Sequence, residues 1–288
     1  MNNVEGAILY VVATPIGNLE DITHRAVNVL SCADVILAED TRVTAKLLAS
    51  LNIKSEQKLI SCHDFNEESR VQQVKELLDD GKRVALVSDA GTPLISDPGY
   101  KIVASLRQDN YSIVPIPGVS AVIAALSVAG LPSDNFIFKG FLSAKKTKRQ
   151  EQIKEIQDLN TTVIVYESVH RIMYLLADLV ELIPSYKIAV AKELTKQFEK
   201  IVSGSAKEVY EHFEFNQDTV RGEFVVIIDC SDQENQEQAA GVNMDELLKD
   251  LLEELPLKKA VKLVVKLTGA KKNQVYDKAL KFKDQQDL

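Results

Sequence analysis

Cysteine is scarce in this chain of 288 residues, which has three cysteines and no CxxC pair. An odd count without paired spacing argues against a disulfide framework, so we expect a protein that folds in a reducing compartment. HExxH is absent, and Cys62 and His63 are adjacent rather than spaced as ligands, so the sequence predicts no metal site. Neither a P-loop nor a GxSxG nucleophile motif occurs, which argues against the enzyme classes that those motifs mark.

Long apolar runs are missing too. No stretch reaches the roughly 18 apolar residues of a membrane span, and the first residues, MNNVE, lack the basic start of a signal peptide. We therefore expect a cytoplasmic protein without a membrane partner. The net charge of −8 argues against nucleic-acid binding by the whole surface, but it leaves room for local basic patches.

The segments that are present alternate between strand-like and helix-like patterns. Over the first 116 residues this alternation predicts a parallel sheet with crossover helices, with strands at 8–13, 35–38, 59–61, 84–87 and 112–116 and helices at 22–32 and 67–80. A second α/β or α+β domain is predicted next, with strands at 136–139, 162–166, 188–192, 199–202 and 224–228 and helices at 122–129, 148–159, 169–183 and 206–213.

The domain organisation follows from a change in composition after these strands. Residues 232–243 are polar and lack aromatics, which is typical of a linker. Three short helical patterns follow, at 244–254, 256–267 and 271–282. We therefore expect an N-terminal domain at 1–117, a second domain at 118–231, a linker at 232–243 and a small helical domain at 244–288.

The most informative segment is the loop SDAGTPLISDPG at residues 88–99, which follows a buried-strand pattern at 84–87. Ligands of open α/β sheets bind at the carboxyl ends of the strands. Two glycines and two prolines specify the path of this loop, and it is about three times as long as an ordinary turn. We expect it to form the wall of a pocket in which Asp89 accepts hydrogen bonds from a ligand. The alternative is a rigid loop that only closes the sheet.

Other polar segments stand where strands end or helices begin. The turn TPIGN at 14–18 has one glycine, and Pro15 lacks an amide donor, which disfavours a pyrophosphate ligand. The segment EDTR at 39–42 is either an acidic ribose site or a self-paired turn that caps a helix. Both a functional and a structural interpretation stay open for PGVSA at 117–121, where Ser120 could be only an N-cap, and for YESVHR at 166–171.

Basic residues are concentrated in two places. The first is a run of four positive charges within residues 145–149, which is either a phosphate contact or a solvated loop. The second is the stretch 244–283, which has ten lysines and six acidic residues, a local balance of +4. That sign is compatible with nucleic-acid contact and equally with an ordinary helical bundle.

The order of these pieces along the chain resembles the tetrapyrrole-methylase-like superfamily, and within it the branch that methylates small-subunit ribosomal RNA. The resemblance runs from about Ala7 to Asp229, and its most specific motifs are EDTR and YESVHR. The C-terminal basic segment resembles the small helix-turn-helix-type domain of some members. The resemblance implies two α/β domains with S-adenosylmethionine in the cleft between them, plus this small helical domain.

The resemblance also implies an activity and a set of residues. The activity is methyl transfer to the ribose 2′-hydroxyl of a cytidine in the decoding region of 16S ribosomal RNA, by a homodimer acting on that RNA or on the 30S subunit. The implied cofactor residues are Pro15, Ser88, Asp89, Ala90, Thr92, Ser120, Ala121, Tyr166 and Gly222. Asp40, Arg42, Glu167 and His170 are the catalytic candidates, and the RNA-binding candidates are Arg42, Lys145, Lys146, Lys148, Arg149 and Arg171.

Two questions stay open at this point. The general base could be Glu39, Asp40, His170, Lys192 or Glu193. A small-molecule methyltransferase of the tetrapyrrole type would use the same cofactor cleft, and a non-enzymatic RNA-binding module would need no such cleft.

Overall fold

Two five-stranded sheets form the core of the computed structural model, which describes residues 7–54, 57–231, 244–268, 275, 276, 278–280 and 282. The first sheet has the order β3-β2-β4-β1-β5, and all its strands are parallel. Its strands are β1 (Ile8–Val12), β2 (Val35–Ala38), β3 (Lys58–Ser61), β4 (Arg83–Val87) and β5 (Ser112–Ile116). Because the strands are parallel, the carboxyl ends of β1, β2 and β4 meet at one edge of the sheet.

Helices cover both faces of this first sheet, as the alternating patterns predict. The helices α1 (His24–Cys32) and α2 (Thr41–Ser50) pack on one face, with Ala26, Leu30 and Leu48 in the core. The helices α3 (Glu67–Asp79) and α4 (Tyr100–Gln108) pack on the other, around Val74 and Ile102. Strands buried on both faces need nearly continuous apolar sequence, and VILA of β2 is buried at every position.

The second sheet is mixed, with the order β6-β7-β10-β8-β9. Only β6 and β7 run parallel, whereas β10 is antiparallel to both of its neighbours, and β9 is antiparallel to β8. The strands are β6 (Phe136–Phe141), β7 (Thr162–Ser168), β8 (Lys187–Lys192), β9 (Lys200–Ser205) and β10 (Glu223–Asp229). The short connection between β8 and β9 suits their antiparallel pairing, because parallel neighbours need a longer crossover.

This sheet also has helices on both faces. The helix α5 (Ala121–Val128) follows directly on the first sheet in the chain but packs on the second, where Val122 and Ala125 contact Ile164 and Ala189. The opposite face is covered by α6 (Lys146–Gln157), α7 (Ile172–Leu182) and α8 (Ala206–Phe215). The chain therefore crosses from one sheet to the other between β5 and α5.

The C-terminal part forms a small core of its own. Two helices are described, α9 (Met244–Glu254) and α10 (Leu257–Thr268), and Leu248, Val261 and Val264 share a cluster with Val275 and Ala279. The predicted linker at 232–243 and half of the predicted helix at 271–282 lie outside the described residues. Within the part that is described, no helix is long and apolar enough to cross a membrane.

Candidate functional site

A cleft of about 380 Å³ lies where the two sheets meet. Loops after β1, β2 and β4 form one wall, and the start of α5, the ends of β6 and β7, and the start of β10 form the other. Its volume falls within the range of roughly 300–1,000 Å³ that is usual for cofactor pockets. Five acidic residues line it: Glu39, Asp89, Asp97, Glu167 and Glu223. The lining therefore favours a ligand with positive charge.

The loop at 88–99 lines this cleft and is held in an unusual conformation. Leu94 and Ser96 have φ values of 74° and 67°, which residues with a Cβ rarely adopt. Backbone hydrogen bonds of 2.8 and 3.0 Å join Thr14 and Gly91 in both directions. The hydroxyl of Thr92 donates to the Val119 carbonyl at 2.9 Å. These contacts fix the loop to the turn after β1 and to the segment that enters α5.

The end of the same loop is anchored by a buried carboxylate that the sequence patterns did not identify. One oxygen of Glu67 accepts hydrogen bonds from the backbone N–H groups of Gly99, Lys101 and Ile102, at 3.1, 2.5 and 3.2 Å. The first N–H groups of a helix have no partner within the helix, and the N-cap of α4, Gly99, has no side chain to supply one. Glu67 therefore fixes the start of α4 and, with it, the C-terminal end of the loop.

The EDTR segment divides between the cleft and the helix that follows it. Asp40 is the N-cap of α2, and its carboxylate accepts from the Arg42 backbone at 2.8 Å and pairs with the Arg42 guanidinium at 2.6 Å. These hydrogen bonds hold the pKa of Asp40 well below its usual range. Neither residue lines the cleft, whereas Glu39 does. The backbone N–H of Asp40 donates to the Asp89 carboxylate at 3.0 Å, so the segment positions Asp89.

The end of β7 contributes a tyrosine and a buried ion pair. The Tyr166 ring lies against the edges of Phe138 and Phe141, with centroid distances of 4.8 and 5.7 Å, and burial raises the pKa of Tyr166 to about 12. Glu167 is buried and pairs with the Arg171 guanidinium at 3.0 Å. Tyr166 is thus a neutral hydroxyl at the cleft.

Arg171 and His170 follow Glu167 in the chain, but neither lines the cleft. The Arg171 guanidinium also donates to the Leu142 carbonyl, so it joins the end of β7 to the segment after β6. His170 is exposed and does not line the cleft. The geometry gives Arg171 a structural partner and places His170 away from the lining.

A second strained loop closes the cleft at the end of β8. Glu193 and Thr195 have φ values of 50° and 64°, and Lys196 donates to the carboxylates of Glu193 and Glu223 at 3.0 and 3.2 Å. Gly222 has a φ of 81°, and a Cβ there would overlap the Glu193 carboxylate. The hydroxyl of Thr195 accepts from the Asn18 backbone at 3.0 Å. This loop therefore connects the second sheet to the turn after β1.

Two of the acidic groups in the cleft have raised proton affinity. Burial raises the pKa of Asp97 to about 6, with smaller contributions from the charges of Glu39, Asp89 and Asp64. Burial also raises the pKa of Glu39. Asp97 was not singled out from the sequence, although it lies in the loop that was, because no local motif distinguishes it from other loop aspartates.

The basic segment requires one correction. Arg149 was an RNA-binding candidate, but it is buried and donates to the equally buried Asp178 at 2.6 Å and to the carbonyls of Ser143 and Ala144. Its guanidinium is buried against α7 rather than presented to a phosphate. Lys145, Lys146 and Lys148 are all exposed, and Lys146 pairs with Glu181 at 3.0 Å.

The structure brings most of the expected cofactor residues together. Those that line the cleft are Asp89, Ala90, Thr92, Ser120, Ala121 and Tyr166, and the catalytic candidate Glu167 lines it as well. Pro15, Ser88 and Gly222 are next in sequence to lining residues but do not line it themselves. Over the described residues, no group of three or more His, Cys, Asp or Glu side chains could hold a metal ion.

Sequence comparison connects the whole chain with methyltransferases. The family model for tetrapyrrole (corrin/porphyrin) methylases matches residues 8–210, and a model described as the RsmI C-terminal HTH domain matches residues 238–283. Ribosomal RNA small subunit methyltransferase I of Neisseria meningitidis serogroup A is 42% identical over 283 residues, which cover 98% of this chain and 96% of that protein. The protein of the same description from Vibrio cholerae is 44% identical and covers 93% of each chain.

Structural comparison agrees on the fold. A uroporphyrin-III-C-methyltransferase from Thermus thermophilus superposes with a TM-score of 0.54 at 20% identity, over 80% of this chain and 98% of that one. A structure of the same enzyme complexed with S-adenyl homocysteine has a TM-score of 0.52 at 20% identity and covers 77% of this chain and 97% of the other. Diphthine synthase gives a TM-score of 0.59 at 12% identity, over 77% and 89%.

Proposed function

This chain belongs to the tetrapyrrole methylase family, in the group of the ribosomal RNA small subunit methyltransferases I, and on that premise we propose that it methylates small-subunit ribosomal RNA with S-adenosylmethionine. The finer proposal is transfer to the ribose 2′-hydroxyl of a cytidine in the decoding region. The observation that carries the proposal is the acidic cleft between the two sheets, lined by the segments through which the sequence resembles this group. A homodimeric state and a cytoplasmic location remain predictions.

The residues of the cleft fit S-adenosylmethionine. When bound, this cofactor supplies a methyl group that its sulfonium charge has already activated. The carboxylates of Asp89 and Glu39 would attract its positive charges, and the absence of long side chains at Ala90, Gly91 and Ala121 allows a ligand to approach the backbone closely. Pro15, Ser88 and Gly222 would act through their neighbours in sequence, by holding Ile16, Asp89 and Glu223 in the lining.

Alignment is the main task that remains for the protein. An activated methyl group needs its nucleophile in line and close by, and the strained loops at 88–99 and 193–199 hold both walls of the cleft in fixed positions. The Tyr166 hydroxyl stays protonated at neutral pH, so it can donate a hydrogen bond to substrate or cofactor. A ribose hydroxyl also needs a proton acceptor.

The RNA would contact basic residues outside the cleft. Lys145, the N-cap of α6, and Lys148, in its first turn, are exposed and close in sequence to Phe141, which lines the cleft. On α10, Lys258, Lys262 and Lys266 are exposed and recur every four residues, so they form one stripe along the helix. Successive members rise about 6 Å along the axis. Arg42 is exposed but pairs with Asp40, so phosphate binding there would compete with that pair.

The test is to incubate the protein with S-adenosylmethionine that carries a labelled methyl group and with small ribosomal subunits from cells that lack the enzyme. We expect label in the small-subunit RNA, on the 2′-oxygen of one decoding-region cytidine. Label on a base, or none in the RNA, would contradict the proposal. The variant K145E/K148E distinguishes an RNA methyltransferase from a small-molecule methyltransferase. A small-molecule enzyme would keep its activity, whereas an RNA enzyme would bind the subunit less tightly.

A further inference from the structure

The proposed reaction needs a base, and the structure eliminates most of the candidates that the sequence leaves open. The Asp40 carboxylate is engaged by Arg42 and does not line the cleft. Glu193 accepts from Lys196 and from the Glu223 backbone. His170 is exposed outside the lining, and Lys192 is buried outside it. Proton transfer requires a group within hydrogen-bond reach of the substrate, so these four residues are poorly placed.

Glu167 lines the cleft, but its two oxygens already have partners. One accepts from the Ser168 backbone at 2.8 Å, and the other pairs with Arg171 at 3.0 Å. A carboxylate whose two oxygens are held by a guanidinium and a backbone donor is not presented to a substrate hydroxyl. Glu167 therefore serves to position the end of β7 rather than to accept a proton.

We propose that Asp97 is the general base that accepts the ribose hydroxyl proton during methyl transfer; this inference rests on the proposed function. Asp97 lines the cleft and lies in the loop whose backbone is fixed by Leu94 and Ser96 on one side and by the Glu67 cap on the other. The Ser96 hydroxyl lies close to Gly140 of β6, on the second sheet, because a Cβ added at Gly140 would be 3.3 Å from the Ser96 oxygen. Asp97 thus stands at the junction of the two walls.

The charged and polar groups that act on Asp97 come from several elements. Ser88 lies beside its carboxylate, Glu39, Asp89 and Asp64 act on it with negative charge, and the Asp97 charge acts in turn on Tyr166. The contact with Ser88 lowers the proton affinity of Asp97, but burial and the acidic neighbours raise it. A carboxylate that titrates near pH 6 is ionised at neutral pH yet accepts a proton more readily than an ordinary aspartate, which suits a general base.

The step is balanced in atoms and charge. The ribose oxygen forms the new O–CH₃ bond, the carbon–sulfur bond of the donor breaks with its electron pair left on sulfur, and the hydroxyl proton passes to the Asp97 carboxylate. One cationic sulfonium and one anionic carboxylate thereby become a neutral thioether and a neutral carboxylic acid. No new charge is created in the cleft, which favours the transfer in surroundings that are already acidic.

Single-turnover methyl transfer to the small subunits, at saturating donor and between about pH 5 and pH 9, tests this assignment. For the wild type we expect a rate that rises with pH around a midpoint near 6. Asp97→Asn should be slower by about 10²–10⁴-fold and should lose this acidic limb. Asp64→Asn is the matched control, because it removes a nearby exposed carboxylate that does not line the cleft. It should keep the rate and the acidic limb, with a midpoint only slightly lower because its charge no longer acts on Asp97.

Two readouts besides activity accompany the kinetics. The dissociation constant of S-adenosylmethionine, from calorimetry, should be the same within about threefold for the wild type and Asp97→Asn, since the lost function is proton transfer. Carboxyl NMR of the whole protein should show one aspartate that titrates near pH 6 and whose signal disappears in Asp97→Asn. An Asp97 signal that titrates near the ordinary value of 3.8 would overturn the assignment.

The remaining outcomes separate this inference from the function on which it rests. A wild type that transfers no methyl group to the subunits overturns the proposed function and the base with it. If the wild type is active and Asp97→Asn is equally fast, only the base assignment fails. It also fails if the slow rate of the variant is explained by lost donor affinity, or if Glu39→Gln, rather than Asp97→Asn, removes the acidic limb.

Discussion

The cleft and the basic surface of this protein differ in charge and in how their charged groups are held. In the cleft, carboxylates such as Asp89 and Glu167 accept hydrogen bonds from backbone groups that fix them in place. On the surface, the lysines of α10 point into solvent along one stripe. The difference suggests a division of labour, in which the rigid acidic cleft carries out methyl transfer and the exposed basic residues hold the RNA.

Within the basic segment itself, two neighbours illustrate the same division. Lys148 is exposed, whereas Arg149 is buried against Asp178. The accessible fraction of the side chain is 5% for Arg149 and 3% for Asp178. Removal of one partner leaves the other charge buried and uncompensated. We expect Arg149→Ala to lower the free energy of unfolding by about 3–5 kcal/mol, measured by urea denaturation.

The control is Lys148→Ala, which should change the free energy of unfolding by no more than about 0.5 kcal/mol while it weakens binding to the small subunit. Equal stability of the two variants would show that the Arg149–Asp178 pair is not structural and would return Arg149 to the RNA-binding candidates.

A bulky side chain in the cleft should affect the cofactor and leave the RNA-binding surface intact. Ala121, the first residue of α5, lines the cleft, so Ala121→Trp should occupy its volume. We expect the affinity for S-adenosylmethionine, from calorimetry, to fall by about 100-fold, or about 2.7 kcal/mol. Ile123→Trp on the exposed side of the same helix should bind normally. Normal binding by both variants would place the cofactor elsewhere.

Neutralising the lysine stripe should have a smaller effect, confined to the RNA. The variant K258Q/K262Q/K266Q removes three charges, and we expect about tenfold weaker binding to the small subunit at physiological salt and a shallower dependence of log K on log salt, by about 0.7–0.9 per lost phosphate contact. K187Q/K207Q is the control, since these exposed lysines lie away from α10, at the start of β8 and on α8. An unchanged salt slope in the stripe variant would remove α10 from the interface.

The smallest predicted effect concerns stability against pH. The raised pKa of Asp97 means that its protonated form favours the folded state, so this contribution is complete below its ordinary value of 3.8 and is lost as pH rises through about 6. Above pH 6, Asp97→Asn should therefore melt at a higher temperature than the wild type. We expect a difference of only about 2 °C, because the Asp97 side chain is partly exposed and its charge is screened by solvent. Thermal unfolding near pH 4 should show no such gain. A gain of equal size at both values would contradict the raised pKa.

The sequence predicts the elements and the positions of the loops well, because both depend on local patterns. The buried runs at 35–38 and 84–87 are strands, and the loop at 88–99 lines the cleft as expected. The patterns delimit neither α2 nor α4, and α4 begins at Tyr100 because Glu67, far away in the chain, caps it. A long-range cap of this kind leaves no local signal.

The same limit explains the charged residues that were assigned incorrectly or overlooked. Arg149 lies in a run of basic residues, and only the fold shows that Asp178 of α7 meets it in the core. Asp97 is one of several loop carboxylates until the fold places it against Ser88 and near Tyr166. Burial and partners, rather than residue type, therefore decide which charges are available for chemistry.

The most direct test of the division of labour is the steady-state kinetics of two variants on the same small subunits. We expect Asp97→Asn to lose kcat with an unchanged KM for the subunit, whereas K258Q/K262Q/K266Q should raise that KM, increasingly so at high salt, with an unchanged kcat. If both variants change the same parameter, or if the lysine variant lowers kcat as strongly as Asp97→Asn, the separation of an acidic catalytic cleft from a basic RNA-holding surface is contradicted.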